Sequence, residues 1–220
     1  MKILIINGSP AGENSITLQT MNYLKIRYPE HEYRVLHAAR RIRAIEKDFS
    51  ETEDLVLWAE LLVFAYPVYT FLAPSQLHRL IDLLKRRGLD LSGKYATQLT
   101  TSKHFYDSTA HEYVRENCLD LRLSYIPGLS QDMEDLLSEQ GRKDARMFFE
   151  HLMFSMEQGF IEKRDPEKSS EQPALYQASL PEKPAEKKSG KQVVLVTDLE
   201  PGNERLLSMI QRFQAVLPYE

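Results

Sequence analysis

The chain has 220 residues, of which 42% are hydrophobic and 10% aromatic, with 28 Lys and Arg against 32 Asp and Glu. The net charge of −4 supplies no basic field for nucleic acid. A chain this long buries roughly 70–75% of its unfolded surface and needs no covalent staple; its length suggests one domain with an appendage, or two small domains. The longest apolar stretch, residues 55–69, is broken by Glu60 and Pro67 and falls short of the ~20 residues of a membrane-spanning helix. Residues 1–8 lack the pattern of a signal peptide. The single cysteine, Cys118, cannot form an internal disulfide, and alone it cannot hold zinc or an iron–sulfur cluster. The expectation is a globular protein of the cytoplasm that binds neither nucleic acid nor membrane.

Residues 2–6 form a continuous apolar run closed by the turn cluster Asn7-Gly8-Ser9-Pro10, which predicts a first strand. Over residues 15–28, Leu18, Met21, Leu24 and Tyr28 recur at helical spacing until Pro29 ends the helix. Residues 33–36 give a weaker second strand. Residues 52–60 open with acidic side chains, which suit a helix N-terminus. Residues 61–66 are all apolar and stop at Pro67, as a buried central strand does. Over 74–87, Leu77, Leu80, Ile81 and Leu84 repeat at helical spacing, with basic residues and then Gly88 at the end. Beyond these, 95–101 predicts a fourth strand, 108–117 a helix, 121–126 a fifth strand, and 132–158 a long helix with Gly141 as its weak point. Strand and helix alternate five times, and every connection is long enough for a right-handed crossover. The fold class is therefore α/β, a doubly wound parallel sheet.

Residues 162–191 differ in kind, being rich in Lys, Glu, Ser and Pro with few apolar side chains. Such a segment cannot bury enough surface to offset its ordering entropy. The expected organisation is a domain over 1–160, a linker or arm over 161–191, and an extra strand–helix unit over 192–220. In that unit, 192–197 predicts a strand and 204–216 an amphipathic helix, which either extend the sheet or open a second domain. Neither is expected to build the functional site.

In a parallel sheet, ligands bind beyond the carboxyl ends of the strands, where strand order reverses. After the first strand, residues 7–17 join glycines to a helix start and supply hydroxyls at Ser9, Ser15 and Thr17. Free amides and the helix dipole make such a loop a phosphate site. It lacks the Gly-Lys-Ser/Thr of a triphosphate loop, contains no Lys or Arg, and carries Glu13. That composition argues for one monophosphate held by neutral donors. The alternative is that Ser15 simply caps the helix and the glycines make the turn. After the third strand, Tyr69 and Phe71 could flank a flat heterocycle or pack on the following helix. After the fourth, residues 100–107 are dense in donors and aromatics.

Gly8-Ser9-Pro10 with Ser15 and Thr17, then Phe64-Ala65-Tyr66-Pro67-Val68-Tyr69, then residues 77–82 resemble the flavodoxin-like, NAD(P)H-dependent FMN oxidoreductases. That group comprises the NADPH-dependent FMN reductases and the iron–sulfur flavoproteins, and the likeness covers about residues 1–160. It implies a five-stranded sheet of order 2-1-3-4-5, FMN as cofactor and NAD(P)H as electron donor. It further implies that Ser9, Asn14, Ser15 and Thr17 cradle the FMN phosphate. Pro67, Val68, Tyr69 and Thr70 would border the isoalloxazine, with Thr101, Ser102, Lys103 and His104 along its other edge. Where the group frequently has arginine after Ser-Pro, this chain has Ala11, and the four cluster cysteines are missing.

The expected activity passes a hydride from NAD(P)H to FMN and on to a small acceptor such as a quinone or flavin, with a homodimer as the assembly. The alternatives are an electron carrier that does not use NAD(P)H, and an interaction domain with an altered site. No catalytic side chain is singled out. His104, Asp107 and His111 have metal-ligating side chains, but a hydrogen-bonding role is expected and no metal site. Lys103 either offsets charge on reduced flavin or is solvated. Cys118 is expected to pack as a small buried residue, and the Met and Phe side chains over 147–156 as core or a subunit contact.

Overall fold

The computed structural model describes residues 1–102, 108–164, 192–197 and 202–217. Lys103, His104 and Asp107, together with nearly all of the expected arm, lie outside the described residues. The chain divides into two units, Met1–Ser169 and Ser170–Glu220.

The first unit is built on a parallel sheet of β1 (Lys2–Asn7), β2 (Glu32–Leu36), β3 (Leu61–Pro67), β4 (Tyr95–Thr101), β5 (Ser124–Tyr125) and β6 (Leu129–Gln131). The strand order is β2-β1-β3-β4-β5, with β6 also paired to β4, so the expected doubly wound sheet is present. Side-chain alternation divides the core between two faces. Ile3 and Ile5 of β1 join Leu61 and Val63 of β3 beneath α1 (Ile16–Arg27) and α6 (Glu139–Gln158). Leu4 and Ile6 join Leu62 and Phe64 on the other face, against α2 (Ala38–Lys47), α3 (Ser50–Trp58), α4 (Ser75–Arg87) and α5 (Ser108–Asp120). Because both faces are covered, β1 and β3 are apolar at nearly every position.

Between β2 and β3 the chain forms two helices where the sequence pattern marks one. Helix α2 turns Ala38, Ile42 and Ile45 inward among arginines, and His37 at its start supplies no side-chain cap. It therefore carries no start signal, and two of the four residues on its buried face are only alanines. The fifth strand position, expected as one run over 121–126, is split into β5 and β6. Pro127 has no N–H to give, and its carbonyl accepts from Thr97 Oγ1 at 3.4 Å. Gly128 then passes so close to β4 that a Cβ there would lie 2.1 Å from the Gln98 carbonyl oxygen.

The unit also runs past the expected boundary at residue 160. Glu162 pairs with Tyr125 through two backbone hydrogen bonds of 2.8 Å, covering the edge of β5. Arg115 Nε holds the Glu162 carboxylate at 2.7 Å, and Arg164 pairs with Asp120. In the second unit, α7 (Glu204–Val216) forms where expected, with Asn203 Oδ1 accepting from the Leu206 N–H at 3.1 Å. The expected strand over 192–197 does not form among the described residues, where Val194 and Val196 are 83% and 88% exposed. An isolated apolar run gains nothing from extended pairing without a second strand.

The expected helix over 132–158 is likewise divided, into a 3₁₀ turn at Asp135–Leu137 and α6. Ser138 caps α6, its Oγ accepting from the Gly141 N–H at 2.9 Å. Gly141 is no weak point. A Cβ on it would lie 2.2 Å from the Asp135 carbonyl oxygen, so glycine lets the 3₁₀ turn fold back against the helix. Helix propensity alone would make Gly141→Ala stabilising by about 1 kcal/mol. The backbone approach reverses the sign, and we expect Gly141→Ala to destabilise by ~1–3 kcal/mol. A urea denaturation midpoint checks it; an increase would show that the close approach relaxes freely.

Candidate functional site

Three connections meet at the carboxyl edge of the sheet. The first leaves β1 at Asn7, which is fully buried. Asn7 Oδ1 accepts from the Ser9 N–H at 3.0 Å, an Asx-type turn. Its Nδ2 donates to the Gly12 carbonyl at 2.8 Å and to His37 Nδ1 at 3.3 Å. The Gly8 N–H donates to the Ala65 carbonyl at 2.8 Å, which draws the loop over β3. A Cβ on Gly8 would come within 3.1 Å of both Tyr66 and Leu77. Gly12 then adopts φ +62°, a conformation that suits glycine, and opens a 3₁₀ turn into α1.

Ser15 caps α1, its Oγ accepting from the Leu18 N–H at 3.4 Å. The first-turn amides of Ile16 and Thr17 have no intrahelical acceptor and sit at the positive end of the dipole. Ser9, Ser15 and Thr17 are buried, whereas Asn14 is exposed. The Thr17 hydroxyl meets that of Thr101 at 2.7 Å. One turn on, Thr20 Oγ1 donates to Gln131 Oε1 at 3.0 Å, and Gln131 Nε2 donates to the Gly141 carbonyl at 3.0 Å. A buried polar seam thus ties α1 to β4, β6 and α6.

The second connection leaves β3 through Pro67 and Val68, both half-buried. The Val68 N–H donates to the Thr101 carbonyl at 3.1 Å, which joins it to the third. Tyr69 and Leu72 exchange backbone hydrogen bonds of 2.9 and 3.1 Å around Thr70 and Phe71, whose φ values are +44° and +72°. This is the tight hairpin conformation usually given to Asn-Gly, imposed here on a β-branched and an aromatic residue. Tyr69, Phe71 and Leu72 are 54%, 42% and 45% exposed, so the expected aromatics lie at the surface. At the third connection, the Ser102 N–H donates to the Gln131 carbonyl at 2.9 Å, and Ser102 Oγ lies 3.2 Å from Ser130 Oγ. His111 Nε2 is 2.8 Å from Thr100 Oγ1. Burial pushes the Cys118 thiol well above its usual range, and it packs within α5.

Sequence reasoning misses three residues here. Asn7 is marked by its place, a polar residue closing an apolar strand two positions before a serine. Gln131 has no local signal. Arg40, on α2, is distant in sequence. Its Cδ lies 2.4 Å, and its Nη1 3.1 Å, from where a Cβ on Gly12 would stand, so the side chain lies across the loop.

A family model described as the flavodoxin-like fold matches residues 1–116, more than half of the chain. The chain belongs to that family. No curated protein matches it. Among solved structures, this flavodoxin-like chain is similar to an NADH:FMN oxidoreductase in its apo form, with 19% identity, a TM-score of 0.57, and coverage of 70% of this chain and 89% of the other. An NAD(P)H:quinone oxidoreductase from Methanothermobacter marburgensis gives 15% identity, a TM-score of 0.52, and coverage of 67% and 91%. The Trp repressor binding protein from Bacillus subtilis gives 15% identity, a TM-score of 0.51, and coverage of 66% and 98%. At these identities the likeness establishes the shared fold.

The Thr17–Thr101 contact yields a stability prediction. Valine keeps the shape of threonine, so either single variant strands one buried hydroxyl at a cost of ~1–3 kcal/mol. The double variant leaves no unpaired hydroxyl and should lie well below the sum of the two. A double-mutant cycle by chemical denaturation measures this; strict additivity would mean that the two hydroxyls do not interact.

Proposed function

We propose that this chain binds FMN and is an FMN-dependent oxidoreductase that takes electrons from NAD(P)H and gives them to a quinone, a flavin or another small acceptor. The observation that most favours this reading is the meeting of three unlike connections on one sheet edge. An amide-rich helix start, a surface aromatic turn and a hydroxyl-lined strand end suit, in turn, a phosphate, a flat ring and the ring's polar rim. Two of the similar structures are an NADH:FMN oxidoreductase and an NAD(P)H:quinone oxidoreductase, which is consistent with it.

The residues present fit the group. The loop's donor set is that of an anion cradle: the first-turn amides of Ile16 and Thr17, the hydroxyls of Ser9 and Ser15 at its wall, and the amide of Asn14 at its rim. The Thr17 hydroxyl is engaged by Thr101, so Thr17 acts through its N–H and holds the helix start in place. Pro67, Val68, Tyr69 and Thr70 border the ring, and Thr101 and Ser102 line the other edge; Lys103 and His104, expected beside them from the sequence, lie outside the described residues. When bound, FMN supplies the hydride chemistry, accepting from NAD(P)H and passing electrons to the acceptor. The chain's part is to bind, to orient and to keep water from the ring's buried side. A dimeric assembly and a cytoplasmic location belong to the same proposal; no helix among the described residues is long and apolar enough to cross a membrane.

The loop closes on a helix start, an arrangement that suits one terminal phosphate better than a phosphate that carries an adenylate. FMN should therefore bind at least about tenfold more tightly than FAD, roughly the scale of one charge-assisted hydrogen bond. Fluorescence titration measures this, and equal affinities would count against the monophosphate reading. Anaerobic mixing with NADH or NADPH should bleach the oxidised-flavin absorbance of the loaded protein. Bleaching by dithionite alone would identify an electron carrier instead, and failure to take up flavin would identify an interaction domain.

A further inference from the structure

We propose that Arg40 supplies the positive charge for the flavin phosphate that the loop's own sequence lacks. The inference rests on the FMN reading above and adds to it a residue from another element. Residues 7–17 contain no Lys or Arg and include Glu13, so the loop alone would set neutral donors and a helix end against a phosphate dianion. The structure brings a cation from outside. The aliphatic stem of Arg40 crosses Gly12, where any side chain would collide with its Cδ, and its Nη1 lies beside the same point. Gly12 thus serves two needs, its φ of +62° and the passage of this side chain.

Arg40 is also available. Among the described residues it takes part in no ion pair or hydrogen bond. Its neighbour Arg41, by contrast, is held by both carboxylate oxygens of Glu51 on α3, at 2.9 and 2.6 Å. Asn7 fixes the relative position of the two elements, since its amide contacts Gly12 in the loop and His37 at the head of α2. Arg40 therefore stands one turn from a residue that is itself anchored to the loop. A guanidinium donates two hydrogen bonds in a fork that matches phosphate oxygens, which makes it suited to the terminal group of FMN.

The test compares FMN with riboflavin, which has the same ring and ribityl chain but no phosphate. Arg40→Ala should weaken FMN about tenfold or more and leave riboflavin within twofold, as followed by quenching of flavin fluorescence. Arg40→Lys should recover part of the loss. Arg43→Ala removes the same charge one turn further along α2 and should shift FMN by less than threefold. Equal weakening of FMN and riboflavin by Arg40→Ala would make Arg40 a support of the loop and overturn the proposal. So would an equal effect of Arg43→Ala, which would show a diffuse field. Unchanged FMN affinity in Arg40→Ala, with wild-type binding intact, would refute the role of Arg40 and leave the FMN reading standing. If the wild-type protein binds neither flavin, both fall together.

Discussion

The buried amide of Asn7 is the constraint on which the carboxyl edge depends. A polar side chain with no exposure must find partners for its oxygen and its nitrogen, or cost several kcal/mol (about 2–7 for an unpaired amide). Here each partner belongs to a different part of the molecule: the Ser9 amide, the Gly12 carbonyl and the His37 ring. Satisfying one residue thereby sets the curvature of the loop, the entry of α1 and the position of α2. An apolar residue at the end of β1 would continue the strand equally well and leave the loop without a shape.

Around that point the edge divides into a stiff side and a strained side. The stiff side is the polar seam from Thr17 through Thr101 and from Thr20 through Gln131 to Gly141, all of it buried and paired. It holds the helix start against the central strands without occupying the free first-turn amides. The strained side is the turn from Tyr69 to Leu72. Two non-glycine residues at positive φ cost on the order of 1–3 kcal/mol each, so the geometry persists only because its surroundings over-determine it. The paired backbone bonds of the turn and the Val68–Thr101 bond provide that. Relaxing Thr70 and Phe71 would re-aim the exposed aromatics, so the strain fixes where a flat ligand would meet them.

What the sequence discloses and what it hides follow from the range of the forces involved. The apolar runs of β1 and β3 and the spacing of Leu77, Leu80 and Ile81 are local and periodic, so strands, helices and the α/β class are legible directly. The loop positions Ser9, Ser15 and Thr17 are legible for the same reason, since turn and cap chemistry act over three or four residues. Helix α2 is hidden because no cap marks its start and only Ile42 and Ile45 give its inner face large apolar side chains. The split of β5 from β6 is hidden because it depends on how near Gly128 comes to the Gln98 carbonyl, a distance no local pattern encodes. Gly141 shows the same limit with a reversed sign: propensity marks it as a defect, and tertiary approach makes it a requirement. The partners of Thr17 and Thr20 lie in β4 and β6, and only the crossover order of the sheet brings them together.

Charge follows the same division, and it bears most directly on function. Counted along the chain, the first loop is neutral to acidic. Counted in space, it has a guanidinium laid across it. Exposed charges in salt solution act over about 8 Å, so only a cation placed against the loop can matter there. Arg41, one residue further on, is within reach by sequence but is matched by Glu51. A parallel sheet makes this exchange straightforward: the crossover from β1 through α1 to β2 returns the chain to the same edge, and the head of α2 emerges beside the turn that leaves β1. The missing cation at Ala11 is thus a property of the local sequence, while the electrostatics of the site are a property of the fold.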